Sequence, residues 1–259
     1  MSLKNIVRMA RMNSRITPKI QGWLVNNPSG VHIQKDEVAE RVMQILKPEV
    51  TKSRAGAFHP SQLYQCPRAQ VYDYYDTPKA RVFNPQLQNL FNDGHFRHLR
   101  WQVMLLEAGI LTDVEVPVYL PEYRLEGSMD GMNSKEGWMF ELKGTSQFKQ
   151  VSKGVALDAH IKQVHAYLLA SGLDEAVIVY ECKSTQQWVE ISVKKDEKII
   201  EELKKILGGL NNAIEKGKFP KRLADCENKT GAAFNSCAYS EICHGCNKPS
   251  DIAALIQNK

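Results

Sequence analysis

The chain lacks the features that would place a protein in a membrane or outside a cell. Its 259 residues contain no apolar run near 18 residues, which excludes an ordinary membrane-spanning helix. No apolar h-region of a secretory signal is found near its start. The expectation is a cytoplasmic protein, of a bacterial or phage-infected cell, with no membrane partner. There are no repeats and no low-complexity tracts. There is no GxxxxGK[ST] phosphate loop, so any duplex unwinding has to come from a partner. Acid is missing from one stretch altogether: residues 1–35 hold no Asp or Glu.

That stretch does hold Lys4, Arg8, Arg11, Arg15, Lys19 and Lys35. The spacing 4, 8, 11, 15 would line four cations along one helical face. Three readings fit it: a solvated arm, an acid-poor mitochondrial transit helix, or a nucleic-acid contact. The net charge of +5 (34 basic against 29 acidic) hints at a polyanionic partner. A hydrophobic share of 43% is enough for a real core, in one large domain or two small ones.

Along the chain, residues 35–46 read as an amphipathic helix that Pro48 ends. Residues 58–76 read as a second helical stretch, with Ser61 as N-cap and Pro67 one turn in. A long helix is expected over 84–109, interrupted by Gly94 and stopped by Gly109. Three strands follow, at 113–120, 123–131 and 137–144, joined by short turns as in a meander. A helix over 158–172, strands at 175–183 and 187–194, and a surface helix over 195–219 complete the pattern. The expected fold is α/β: a mixed central sheet flanked by helices, behind a helical N-terminal part. The expected units are a basic arm and helix (1–57), a core (58–219) and a cysteine-bearing C-terminal segment (220–259).

The chemistry centres on "GWMFELKGTSQ" at 137–147. A strand that reads as core carries Glu141 and Lys143, and residues i and i+2 share a face. Asp130 ends the preceding strand, so adjacent strands would bring two carboxylates together. Such carboxylates repel unless a cation lies between them. A hard divalent ion, Mg²⁺ or Mn²⁺, suits their oxygens. Lys143 would then help deprotonate a water or neutralise a developing phosphate charge. That is a layout for metal-assisted phosphodiester hydrolysis. A bare Glu-x-Lys is also compatible with a solvated cross-strand ion pair. His98, four residues after Gly94, would offer a neutral imidazole to complete a ligand set, or serve the helix structurally. Gln163 and Tyr167 share one helix face, which reads as hydrogen-bonding machinery or as an ordinary polar face.

Taken in order, Gly94-x3-His98, Gly127-Ser-Met-Asp130, Glu141-Leu-Lys143 and Gln163-x3-Tyr167 closely resemble the motifs of the PD-(D/E)XK nucleases, in their RecB-like branch. Upstream, "HPSQLYQCPRAQVYDYY" is similar to the Ser-x-Leu-x-x-Cys-Pro-Arg element of members that carry an iron–sulfur cluster, such as CRISPR-associated nucleases and single-strand-specific exonucleases. The resemblance runs from about residue 58 to 246. It implies a restriction-endonuclease-like core, with His98, Asp130 and Glu141 binding the metal and Lys143 catalytic. It implies that Gln163 and Tyr167 orient the lysine or the DNA.

Six cysteines occur, and Cys226, Cys237, Cys243 and Cys246 crowd near the C-terminus. In a reducing compartment such crowding points to metal rather than disulfides. The resemblance implies that Cys66 joins three C-terminal cysteines around a [4Fe–4S] cluster. Cys237-x5-Cys243 looks like the last two ligands, but Phe234 stands where the commonest pattern has another cysteine. Cys226 is preferred as the fourth ligand and Cys246 is the alternative. Zinc is the alternative metal. Cys182 reads as a core residue. The leading expectation is a deoxyribonuclease, preferably an exonuclease, on single-stranded DNA or DNA ends in recombination, repair or replication. A helicase or recombination protein would be its partner. A structure-specific endonuclease and a non-catalytic DNA-binding module of the same fold are the alternatives. Trp101, Tyr72, Tyr74 and Tyr75 are candidate base-stacking faces, or equally packing residues around the cysteine segment.

Overall fold

The computed structural model describes residues 14–28, 30–46, 54–79, 85–229 and 231–252. Helices α1 (Thr17–Asn26), α2 (Asp36–Leu46) and α3 (Pro67–Tyr74) lead to the long α4 (Pro85–Glu107). Strands β1 (Asp113–Leu120), β2 (Leu125–Asn133) and β3 (Trp138–Thr145) follow, then short α5 (Phe148–Val151) and α6 (Asp158–Ser171). Strands β4 (Glu175–Cys182) and β5 (Trp188–Lys194) and helix α7 (Glu197–Glu215) close the core. Beyond them lie three one-turn helices, α8 (Ala224–Glu227), α9 (Ala232–Ser236) and α10 (Ser240–Cys243). No helix among the described residues is long and apolar enough to cross a membrane.

The five strands form one sheet in sequence order. Strands β1, β2 and β3 make the expected antiparallel meander. A crossover through α6 then sets β4 parallel to β3, and β5 returns antiparallel. The fold is therefore the expected α/β arrangement of a mixed sheet flanked by helices. Strand β4, covered on both sides, is buried over nearly its whole length, as its run of apolar residues dictates. Alternation along β3 sorts the side chains. Trp138, Phe140 and Leu142 pack with Trp101, Met104 and Leu105 of α4. Met139 faces the other way, with Val164 and Leu168 of α6. Glu141 and Lys143 have the parity of Met139 and so lie on the α6 side.

Several local expectations change. Gly94 does not interrupt α4, which runs unbroken through it. One glycine costs a helix only about 1 kcal/mol, too little to break 23 residues anchored by a core-facing half. Ser61 caps no α-helix: it lies in a 3-10 turn, Pro60–Gln62, and α3 begins at Pro67, whose missing N–H suits the first position. Trp101 and Tyr72 are not stacking faces for bases, being 2% and 0% exposed. Tyr74 and Tyr75 pack against the cluster under α7. Part of the basic arm also belongs to the core, because Ile16 and Ile20 are fully buried beside Trp101. The Glu190 carboxylate of β5 accepts from the backbone N–H of Arg15, Ile16 and Thr17 at 2.6, 3.1 and 2.8 Å, capping α1 from across the molecule. Arg15 pairs with Glu136 and Glu175, and Lys19 with Glu136. Lys4, Arg8, Arg11 and Pro48 lie outside the described residues.

Candidate active site

The site begins where two strands part. β2 and β3 are paired from Gly131↔Phe140 to Asn133↔Trp138 and no further. Past that point the Asp130 carboxylate replaces the missing strand partner: its Oδ2 accepts the Leu142 N–H at 2.7 Å. Gly131 is needed beside it, since a Cβ there would lie 2.6 Å from Leu111. Gly127 is needed on the same strand, where a Cβ would meet Pro60 at 2.9 Å and Tyr167 at 3.1 Å.

Glu141, Lys143 and Gln163 form a closed triangle. Lys143 Nζ is 2.6 Å from Glu141 Oε1 and donates to Gln163 Oε1 at 3.0 Å. Gln163 Nε2 donates back to Glu141 Oε1 at 3.0 Å. Glu141 is 2% exposed, and its second oxygen, Oε2, is buried with no hydrogen-bond partner. A buried carboxylate oxygen without a donor is expensive, and a cation is the group that would satisfy it. From α4, His98 brings Nδ1 to 3.5 Å from Asp130 Oδ1.

Burial governs the protonation states. It pushes the Asp130 carboxyl up to about 7, against the pull of Lys143 and of the Leu142 N–H. It pushes Glu141 up to about 7 as well, helped by the neighbouring Asp130. The Lys143 ammonium loses water too, but Glu141 and Asp130 together hold its pKa above the ordinary lysine value. Burial lowers His98, which favours the neutral imidazole that a metal ligand requires. Burial first, then the Glu141 charge, raises Tyr167, so its hydroxyl stays a phenol.

Sequence reasoning missed two residues here. Glu115 of β1 has a left-handed backbone, φ 49°, in the middle of a strand. Gln102 of α4 donates to Glu115 Oε1 at 2.8 Å and to the Asp130 carbonyl at 2.9 Å. Ser128 donates to Glu115 Oε2 at 3.2 Å. This bracing sets a further carboxylate beside Asp130 and His98, whose pKa values it raises. The charge alternation in "DVEVPVYL" was its only trace in the sequence.

The cysteines gather elsewhere. Cys66 stands at the N-cap position of α3, Cys226 in α8, Cys237 just past α9, and Cys243 at the end of α10. All four line one small, apolar cavity, which Phe234 also lines. Burial raises the Cys226 thiol, and the nearby Cys66, Cys237 and Cys243 raise it further. Cys246 does not line the cavity: it packs with Tyr72, Tyr239 and Ile252, in a cluster that Cys237 and Cys243 also touch. Arg68 ties this segment down by donating to the carbonyls of Pro220 (3.2 Å), Cys243 (3.3 Å) and Cys246. Cys182 is buried at the end of β4, away from the cavity. Among the described residues, no three His, Cys, Asp or Glu side chains stand as a ready-made metal shell. What the fold brings together is two donor sets, the carboxylates with His98 and the four cysteines around their cavity.

No protein-family model matches the chain. No curated protein matches it in sequence. Among solved structures it is similar to LHK-Exo in complex with dAMP, at 16% identity and a TM-score of 0.48, covering 63% of this chain and 90% of that one. It is also similar to SSO0001, at 17% identity and a TM-score of 0.44, covering 80% and 95%. A third is a phage-related exonuclease from Haemophilus somnus 129PT, at 11% identity and a TM-score of 0.45, covering 62% and 96%. With TM-scores below 0.5 these likenesses decide neither family nor activity.

Proposed function

We propose that the chain is a metal-dependent deoxyribonuclease of the PD-(D/E)XK type, acting on single-stranded DNA or DNA ends. The observation that carries this reading is the Glu141 carboxylate, buried with one oxygen unpartnered while the other is held by Lys143 and Gln163. Asp130 and His98 stand 3.5 Å from each other and close enough to Glu141 to act on its pKa. The donor set of two carboxylates and a neutral imidazole fits Mg²⁺ or Mn²⁺. When bound, such an ion polarises a phosphoryl oxygen and acidifies a water. Asp130, Glu141 and His98 would hold it. Lys143, charged and fixed by Gln163, would stabilise negative charge gathering on the phosphate. Tyr167, uncharged, would pack behind Gln163.

For the cysteines, the reading is a [4Fe–4S] cluster on Cys66, Cys226, Cys237 and Cys243, with zinc as the other soft-ligand choice. Their convergence on one cavity supports it and favours Cys226 over Cys246. The cluster's role would be to fasten α3 to the C-terminal segment.

The deciding experiment is digestion of end-labelled single-stranded, duplex and closed circular DNA with Mg²⁺ or Mn²⁺. Mononucleotide release from linear strands supports an exonuclease, and cutting of a closed circle argues for an endonuclease. Binding without cleavage under every condition would leave a non-catalytic DNA-binding module.

A further inference from the structure

Helix α6 presents more than Gln163 and Tyr167 to the site. His160 lies three residues before Gln163 and seven before Tyr167, on the same helical face. Its Nδ1 is 2.9 Å from the hydroxyl of Tyr180. Tyr180 is paired with Lys143 across β3 and β4, so its side chain leaves the sheet on the lysine's side. The Tyr180 oxygen already accepts the Leu157 N–H at 3.1 Å. With that lone pair occupied, the hydroxyl's own proton is free to go to Nδ1, the arrangement that leaves the imidazole proton on Nε2. Burial, and then the Lys143 charge, push the His160 pKa down to about 4. The ring is therefore held neutral and in one orientation, and with Tyr180 as the donor to Nδ1 its far edge is a hydrogen-bond donor. It is only partly buried, at the first turn of α6.

We infer that His160 is a substrate-binding residue whose Nε2–H donates to a non-bridging oxygen of a phosphodiester next to the one held at Lys143. This rests on the nuclease reading and names a contact that reading does not use. A neutral donor suits the position. It grips a phosphate oxygen without adding a second positive charge to compete with Lys143 for the scissile group. Tyr180 and the Leu157 N–H fix the ring in advance, so little freedom is lost on binding.

The test uses the full chain and a labelled single-stranded oligonucleotide, followed by cleavage kinetics and by fluorescence anisotropy. His160→Phe keeps a ring without the donor, and His160→Gln restores an N–H. His160→Phe should raise KM and the anisotropy Kd on the order of tenfold, as for one lost hydrogen bond to a charged group, with kcat little changed. His160→Gln should recover most of that loss. A neutral methylphosphonate at the contacted phosphate should weaken wild type by a similar factor and His160→Phe no further. Equal KM and Kd for wild type and His160→Phe overturn the inference, as do losses that simply add at every methylphosphonate position. If wild type cuts nothing with Mg²⁺ or Mn²⁺, the nuclease reading fails instead. The anisotropy comparison then still decides whether His160 touches the strand.

Discussion

The carboxylate site and the cysteine cavity are held in opposite ways. Asp130, Glu141 and Lys143 sit on two neighbouring strands of a five-stranded sheet, and α4 and α6 cover that sheet from its two sides. Their positions follow from a ladder whose partners are spread over the whole core. Three of the four cysteines sit on or beside helices of four or five residues, too short to be stable alone. That segment is held by one small apolar cluster, by Arg68 and Arg222, and by the Tyr239 hydroxyl donating to Asp73. The fold would thus build the first site whether or not a metal binds, while the second depends far more on what joins its thiols. Variants at the two places should fail differently.

The largest effect is expected at the sheet. Lys143→Ala should lower cleavage on the order of a thousandfold while the chain stays folded and still binds DNA. A variant cutting within about tenfold of wild type would remove Lys143 from the chemistry. Cys66→Ala should do the reverse. It should bleach the brown colour expected of an anaerobically purified iron–sulfur protein and make residues 220–252 protease-sensitive. Hydrogen-exchange protection of the sheet should persist. Cys226→Ala should bleach as well, whereas Cys246→Ala, outside the cavity, should keep the colour. One zinc with no iron or sulfide on elemental analysis would replace the cluster with the other soft-ligand reading.

A smaller effect should appear in the pH dependence of the metal-free protein. Asp130 and Glu141 both have folded pKa values raised to about 7, from ordinary values of 3.8 and 4.5. A raised carboxyl favours the folded state while protonated. That contribution is fully present below the ordinary values and is lost as pH rises through about 7. In a chelator, thermal stability should therefore fall between about pH 4 and pH 7. Mg²⁺ should restore it at the upper end by favouring the ionised pair. The double variant Asp130→Asn, Glu141→Gln should flatten both responses. An unchanged slope in that variant would mean that the two carboxyls titrate normally.

The contrast also separates what was legible in the sequence. Period-two runs gave β1 its full span, 113–120, and brought β3 within one residue of its ends. That Glu141 and Lys143 share a face was readable because strand parity is local. The helix α1 was not, since its N-terminus is capped by Glu190, more than 170 residues away. Glu115 was hidden for a similar reason: Gln102 and Ser128, which hold its carboxylate, lie 13 residues away on either side. His160 gained meaning only when β4 brought Tyr180 beside it. The sequence preference for Cys226 over Cys246 rested only on ligand order, whereas its place at the cavity depends on how three short helices fold back onto α3.

The smallest expected effect is at Gly94, where sequence and structure disagree most simply. The glycine was expected to break α4 and does not. Its backbone is not left-handed, and a Cβ built there meets nothing within 4 Å. Nothing inside the protein therefore asks for glycine, although glycine destabilises a helix by about 0.5–1 kcal/mol relative to alanine. Gly94→Ala should raise stability by that amount, read as a higher Tm. It lies one turn before His98 on the same face, so a methyl group there would stand where a strand approaches the metal ligands. Cleavage should fall as stability rises. If both rise together, Gly94 serves neither the fold nor the substrate. If Tm rises and cleavage drops, the bare backbone beside His98 is there for the DNA.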